Sequence, residues 1–283
     1  MITLPMRWFA VAAMACAAAS SAWAAPESVE LKLQVKPELF AAGRTQGYNA
    51  LWAVIADTAA KQGLKAKFNT EAPHDEEHEL VYYYDTADGQ FDAKNFTVRQ
   101  KFKIKDGQVK DRGTLMLKLR KPVELTSGEI EAFKAGLSDR MVVKYEADTV
   151  GLADGVPGKL RTVYSISAKQ KKMDNGNGRT VGWYMDYFPV LKATGIDAAA
   201  VLKPATATVH AVETELGKVS KGEDKAKFDV VTWYDEAGKN LKLVELSWKY
   251  KTAKSDGEMH KALHNALQQR GDTFIAGKTK TGK

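Results

Sequence analysis

Thr97-Val-Arg-Gln-Lys-Phe-Lys-Ile-Lys105 carries a basic residue at Arg99, Lys101, Lys103 and Lys105, with Val98, Phe102 and Ile104 between them. Successive side chains of a β-strand point to opposite faces, so this run predicts a strand with one cationic and one apolar side. The following run, Thr114-Leu-Met-Leu-Lys-Leu-Arg120, keeps the period. Leu115, Leu117 and Leu119 share one side, and Met116, Lys118 and Arg120 the other. Ahead of both, Glu79-Leu-Val-Tyr-Tyr-Tyr-Asp-Thr86 ends in a turn signal, and the block reads as a three-stranded antiparallel meander. Like charges side by side on a sheet repel. Such a face calls for anionic neighbours, a bound anion or open water.

The same charged alternation recurs along the chain. Glu30 and Lys32 alternate with Val29, Leu31 and Leu33; Lys144, Glu146 and Asp148 with Val143, Tyr145 and Ala147. Leu160 to Lys171 places Arg161, Ser165, Ser167, Lys169 and Lys171 on one side, and Asp174-Asn-Gly-Asn-Gly178 predicts a hairpin to a strand over 181–188. Val209 to Leu216 carries Glu213 and Glu215 together, and a last hairpin joins Phe228–Tyr234 to Leu241–Lys251, with Glu245, Lys249 and Lys251 on one side. Helices are expected over 49–62, after the capping box Thr126-Ser-Gly-Glu129, and over 257–270. The fold class is α+β, mainly antiparallel β, in one domain over 25–283.

Residues 1–24 have the form of an export signal: Arg7, an apolar run from Trp8 to Ala18, and a small-x-small site at Ala22-Trp-Ala24. Cleavage near Ala24 would give a periplasmic or secreted protein. It would remove the lone cysteine, Cys16, and lower the formal charge of +7 by the one of Arg7. No later apolar run is long enough for a membrane helix. His260 and His264 lie one helical turn apart, but Lys261 stands where a zincin helix has glutamate, and a solvated face is expected. His74-Asp-Glu-Glu-His78 reads as a polar loop cluster without a third metal ligand, and Tyr82, Trp183, Trp233 and Trp248 as core. Export argues against nucleic acid as the partner of the basic strands.

In their order the strands resemble the CYTH-like superfamily, the triphosphate tunnel metalloenzymes. Glu30 and Lys32 match its opening E-x-E-x-K strand, Tyr83-Tyr-Asp-Thr86 its tyrosine strand, Val98-Arg-Gln-Lys101 its L-R-x-R strand and Leu115 to Lys118 its T-L-K strand. Further on, Lys144-Tyr-Glu-Ala-Asp148 looks like its acidic strand, Arg161 like a basic position and Glu213-Thr-Glu215 like its closing E-x-E, with Glu245 competing for that place. The resemblance implies a closed, tunnel-like barrel of about eight strands with a few flanking helices. It implies phosphate binding by Lys32, Arg99, Lys101, Lys118, Arg120 and Arg161. It implies Mg²⁺ or Mn²⁺ held by Glu30, Glu146, Asp148, Glu213 and Glu215. The expected activity is metal-dependent hydrolysis of a tri- or polyphosphate. Ser28 stands where the first metal-binding glutamate is expected, and a non-catalytic polyanion binder or scaffold with a degenerate site is the alternative. A β-sandwich would satisfy the same alternation.

Overall fold

The protein is described here from a computed structural model covering residues 22–72, 75–152 and 156–275. In chain order the elements are β1 (Ser28–Val35), α1 (Arg44–Lys61), β2 (Lys65–Phe68), β3 (Glu77–Asp85), α2 (Gln90–Ala93), β4 (Phe96–Lys105), β5 (Gln108–Val109), β6 (Gly113–Lys121) and α3 (Ser127–Lys134). Then come β7 (Val142–Val150), β8 (Arg161–Met173), α4 (Val181–Tyr187), β9 (Lys203–Pro204), β10 (Val209–Lys221), β11 (Asp224–Asp235), β12 (Leu241–Lys251), α5 (Glu258–Gln268) and β13 (Phe274–Ile275).

All the strands join one sheet, and nine of them close into a ring in the order β10-β11-β12-β1-β7-β8-β6-β4-β3, with β3 pairing back onto β10. The ring thus has nine strands where about eight were expected, and the tunnel takes the place of a sandwich. Strands that alternate in direction cannot close an odd-numbered ring. One parallel pair is required, and it is β1 with β7, where Ser28, Glu30 and Lys32 lie beside Glu146, Asp148 and Val150. A parallel pair also needs a long crossover; here everything between Val35 and Val142 supplies it.

The apolar strand faces point outward under helices. Leu31, Leu33, Phe228, Leu246 and Trp248 pack against Tyr48, Leu51 and Ile55 of α1 and Leu263 and Leu267 of α5. Across the ring, Val98, Leu115, Leu117 and Ile166 pack with Phe91 of α2, Phe133 of α3 and Tyr184 of α4. The charged faces are left to line the lumen. At one end the lining turns apolar, through Val81, Tyr83, Ala211, Val231 and Trp233.

Two elements differ from their expected state. Residues 181–187 form α4, where the aromatic run suggested a strand. Val181, Tyr184, Met185 and Phe188 recur at helical spacing and are all buried in the outer core. Each such side chain contributes about 1.5–3 kcal/mol, which outweighs helix-propensity costs of about 0.7 kcal/mol or less per residue. On α5 the histidines are buried rather than solvated, His260 being bonded to Asp224 at 3.0 Å and His264 to the Lys32 carbonyl at 3.2 Å. His78 stands within β3, not in a loop, while His74 lies outside the described residues. Of the export segment, residues 1–21 lie outside them too. Trp23 bridges to Thr126, and the Ala24 amide donates to the Leu125 carbonyl. Among the described residues no helix is long and apolar enough to cross a membrane.

Candidate functional site in the tunnel lumen

Strand register determines which charges meet. Lys118 of β6 lies opposite Ser167 of β8 and Asp148 of β7 opposite Val163, so the two side chains meet on the diagonal across β8. Lys118 Nζ donates to Asp148 Oδ2 at 2.8 Å, and Lys32 Nζ reaches Asp148 Oδ1 at 3.1 Å and Glu30 at 2.8 Å. Ser165 Oγ donates to the same carboxylate at 3.3 Å. These groups are deeply placed: the Lys118 and Asp148 side chains are each 11% exposed. A buried ion pair of this kind costs heavy desolvation and holds only when its hydrogen bonds are satisfied.

The charges respond accordingly. Burial pushes the Asp148 carboxyl up, but Lys32 and Lys118 outweigh it and hold the group well below the usual range. Burial likewise pulls Lys32 down, and Glu30, Asp148 and Glu245 together more than offset it, leaving the ammonium above its ordinary value. Lys118 and Arg120 are depressed, chiefly by burial. Glu146, drawn down by Lys249 and Lys118 against its burial, accepts from Ser28 Oγ at 3.2 Å and from Lys249 Nζ at 3.4 Å.

The lumen has two unlike walls. One is cationic, built by β4, β6, β8 and the start of β7, and bears Arg99, Lys101, Lys118, Arg120, Lys144 and Lys169. Arg99 reaches Met116 Sδ at 3.6 Å, and its Nε is buried with no hydrogen-bond partner. Burial and then the neighbouring Arg99 and Lys144 push Lys169 down to about 8. The other wall, from β10, β11, β12 and β1, is acidic, with Glu213, Glu215, Asp229, Glu245 and Glu30. There burial, reinforced by Glu213 and Glu215, raises the Asp229 carboxyl to about 7. Between the walls Lys101 pairs with Glu79 and approaches Glu213 at 3.6 Å.

The ring therefore gathers Glu30, Lys32, Arg99, Lys101, Lys118, Arg120, Glu146, Asp148 and Glu213 on one lumen. Arg161 is not among them, because it starts β8 opposite Val150 and is exposed at the rim. Glu215 also stands toward the rim, 2.9 Å from Lys227. All five expected metal ligands face lysines: Glu30 and Asp148 meet Lys32, Asp148 also Lys118, Glu146 Lys249, Glu215 Lys227 and Glu213 Lys101. Among the described residues no three carboxylate or imidazole groups stand close enough to hold an ion between them. The expected site residues omitted two groups, Asp229 and Lys169. Asp229 was legible in Phe228-Asp-Val230, where it alternates with buried Phe228 and Val230, and Lys169 in the alternation of β8. A concavity of about 630 Å³ lies elsewhere, beside Thr206, Val209 and Lys242.

No family model matches the chain, and no curated protein matches it. Among solved structures it is similar to a putative adenylyl cyclase from Hippeastrum described as having a dominant triphosphatase activity, at 12% identity and TM-score 0.46, over 89% of this chain and 91% of that one. A putative adenylate cyclase from Bacillus halodurans gives 11% identity and TM-score 0.43, over 90% and 96%. A Pyrococcus horikoshii protein gives 13% and 0.32, over 86% and 90%. The architecture itself is a closed ring of mainly antiparallel strands around a charged lumen with helices outside.

Proposed function

We propose that the lumen binds a linear tri- or polyphosphate and that the protein hydrolyses it with the help of a divalent cation. The observation that carries the reading is the division of the lumen into a cationic and an acidic wall, with the buried Arg99 Nε on the cationic side left without a hydrogen-bond partner. A buried donor in that state costs about 1–3 kcal/mol, which an anionic oxygen would relieve. Arginine and lysine heads converging from several strands suit a chain of phosphoryl groups, arginine by paired hydrogen bonds.

The acidic wall suits a hard cation in the type of its donors. Burial, reinforced by Glu213 and Glu215, raises the pKa of Asp229, a penalty that a bound dication would relieve. Among the described residues no three carboxylates converge, so Mg²⁺ or Mn²⁺ would be held by one or two of Glu30, Asp229 and Glu213 together with phosphate oxygens and water, and would supply charge neutralisation and activation of water. Lys32 and Lys118, fixed by Asp148, would position the phosphates between the walls. The signal-like pattern of residues 1–24 supports action outside the cytoplasm, which N-terminal sequencing of the protein from a periplasmic fraction would check.

A second reading, a polyanion binder without turnover, is favoured by Ser28, whose hydroxyl is spent on Glu146. Phosphate release from tripolyphosphate and nucleoside triphosphates, with Mg²⁺, with Mn²⁺ and with chelator, separates the two. Turnover that chelator abolishes is the expected result; tight binding without release leaves the binder, and neither binding nor release overturns both.

A further inference from the structure

β10 and β11 outrun the ring. β11 pairs with β12 only from Asp229 onward, and β10 pairs with β3 only up to Glu213. Beyond those points the two strands continue as a hairpin to Lys221 and Asp224, and β2 joins its free side, making a three-stranded ledge at the mouth of the tunnel. The register shifts between Glu215 and Gly217, so Leu216 and Val219 stay buried in the outer core while Lys218 returns to the lumen side. Phe228 and the half-buried Phe68 pack under the ledge with Trp52.

The upper face of this ledge is a lysine field. Lys67 of β2, Lys218 of β10 and Lys227 of β11 stand directly opposite one another in a single cross-strand row, and Lys65, Ser220 and Lys225 form the next. Lys65, Lys67, Lys225 and Lys227 are exposed and Lys218 half-buried. Like charges directly opposed on a sheet are destabilising. Lysines on an edge strand deter pairing with another chain, which accounts for Lys65 and Lys67 on β2. It does not account for Lys218, whose strand has a partner on each side. Lys227 also pairs with Glu215 at 2.9 Å, so the field meets the rim of the acidic wall at the tunnel mouth.

We propose that this ledge binds the trailing part of a long linear phosphate polymer whose leading end occupies the lumen. The inference rests on the lumen reading above and narrows the substrate class from a triphosphate to a polymer. Charge complementarity, the position of the ledge at the tunnel mouth and a row of opposed lysines that a polyanion would relieve all favour that occupant.

The test titrates the full chain and its Lys65→Gln/Lys67→Gln/Lys218→Gln variant with tripolyphosphate and with long-chain inorganic polyphosphate, counted per chain, at two salt concentrations. The wild type should bind the long chain about tenfold more tightly and with steeper salt dependence, and the variant should lose that advantage while keeping its tripolyphosphate affinity. Removing opposed charges should leave the melting temperature unchanged or higher, which separates the effect from misfolding. Equal affinity of the wild type for both ligands overturns the ledge and leaves the lumen reading standing. Ledge-dependent binding of the long chain with no binding of tripolyphosphate sinks the lumen reading instead. Neither ligand bound overturns both, and loss of anionic vesicle binding in the variant with polyphosphate binding intact assigns the ledge to a membrane surface.

Discussion

Lys169 and Arg99 show what a lumen does to individual charges. Lys169 titrates near 8 because burial and the adjacent Arg99 and Lys144 disfavour its ammonium. Below that pH it is charged and ready for an anion. As pH rises through about 8 it loses the proton, so affinity for tripolyphosphate should fall between pH 7 and 9, and binding in that window should take up protons measurable by calorimetry in buffers of different ionisation enthalpy. Lys169→Met should flatten the profile. Because the folded pKa lies below the unfolded one, the native state carries a penalty below about 8 that fades as pH rises through the unfolded value, and the same variant should be more stable at pH 7. At Arg99 the expectation is simpler. Losing one charge-assisted contact costs about 1.5–3 kcal/mol, so Arg99→Ala should weaken tripolyphosphate binding roughly tenfold or more with the fold intact by circular dichroism; unchanged affinity would remove β4 from the site.

At the scale of elements, the helices act on the lumen from outside. α5 is tied to β1 through His264, which hydrogen-bonds the Lys32 carbonyl and, at 3.3 Å, the Gln268 side-chain amide; Gln268 in turn accepts from the Leu152 and Gly158 amides. Burial keeps this imidazole below its ordinary pKa, and it is neutral at pH 7. His264→Leu should destabilise the protein by about 1–3 kcal/mol in urea unfolding, since it removes one of the acceptors of the Gln268 amide and one of the two donors to the Lys32 carbonyl. The α3 capping box is a further case: Thr126 accepts from the Glu129 amide while the Glu129 side chain accepts from the Thr126 amide. Thr126→Ala should cost about 1 kcal/mol by the same measurement.

The whole molecule is a closed ring, and closure makes its stability collective. A ligand held between walls drawn from opposite sides of the ring favours the folded state by RT ln(1 + [L]/Kd), about 2.7 kcal/mol at a hundredfold excess over Kd. Tripolyphosphate should therefore raise the melting temperature, with a larger rise when Mg²⁺ or Mn²⁺ is present; a metal effect without phosphate and none with it would place the cation away from the acidic wall. Much of this was legible beforehand. Strict alternation in Thr97–Lys105, Thr114–Arg120 and Lys144–Asp148 determined the strands and separated charged from apolar faces, because a period of two leaves a side chain only two directions. Tertiary structure decided the rest. Whether the charged faces turned inward depended on helices α1 and α5 on one side and α2, α3 and α4 on the other covering the apolar faces, a matter of which surfaces meet in space. α4 became a helix through the burial of Val181, Tyr184 and Phe188, which no local propensity records. Asp148 became a lysine partner, and Asp229 and Lys169 became strongly perturbed groups, because register across the ladders sets their neighbours. A pKa depends on distance and burial, and those quantities exist only once the ring has closed.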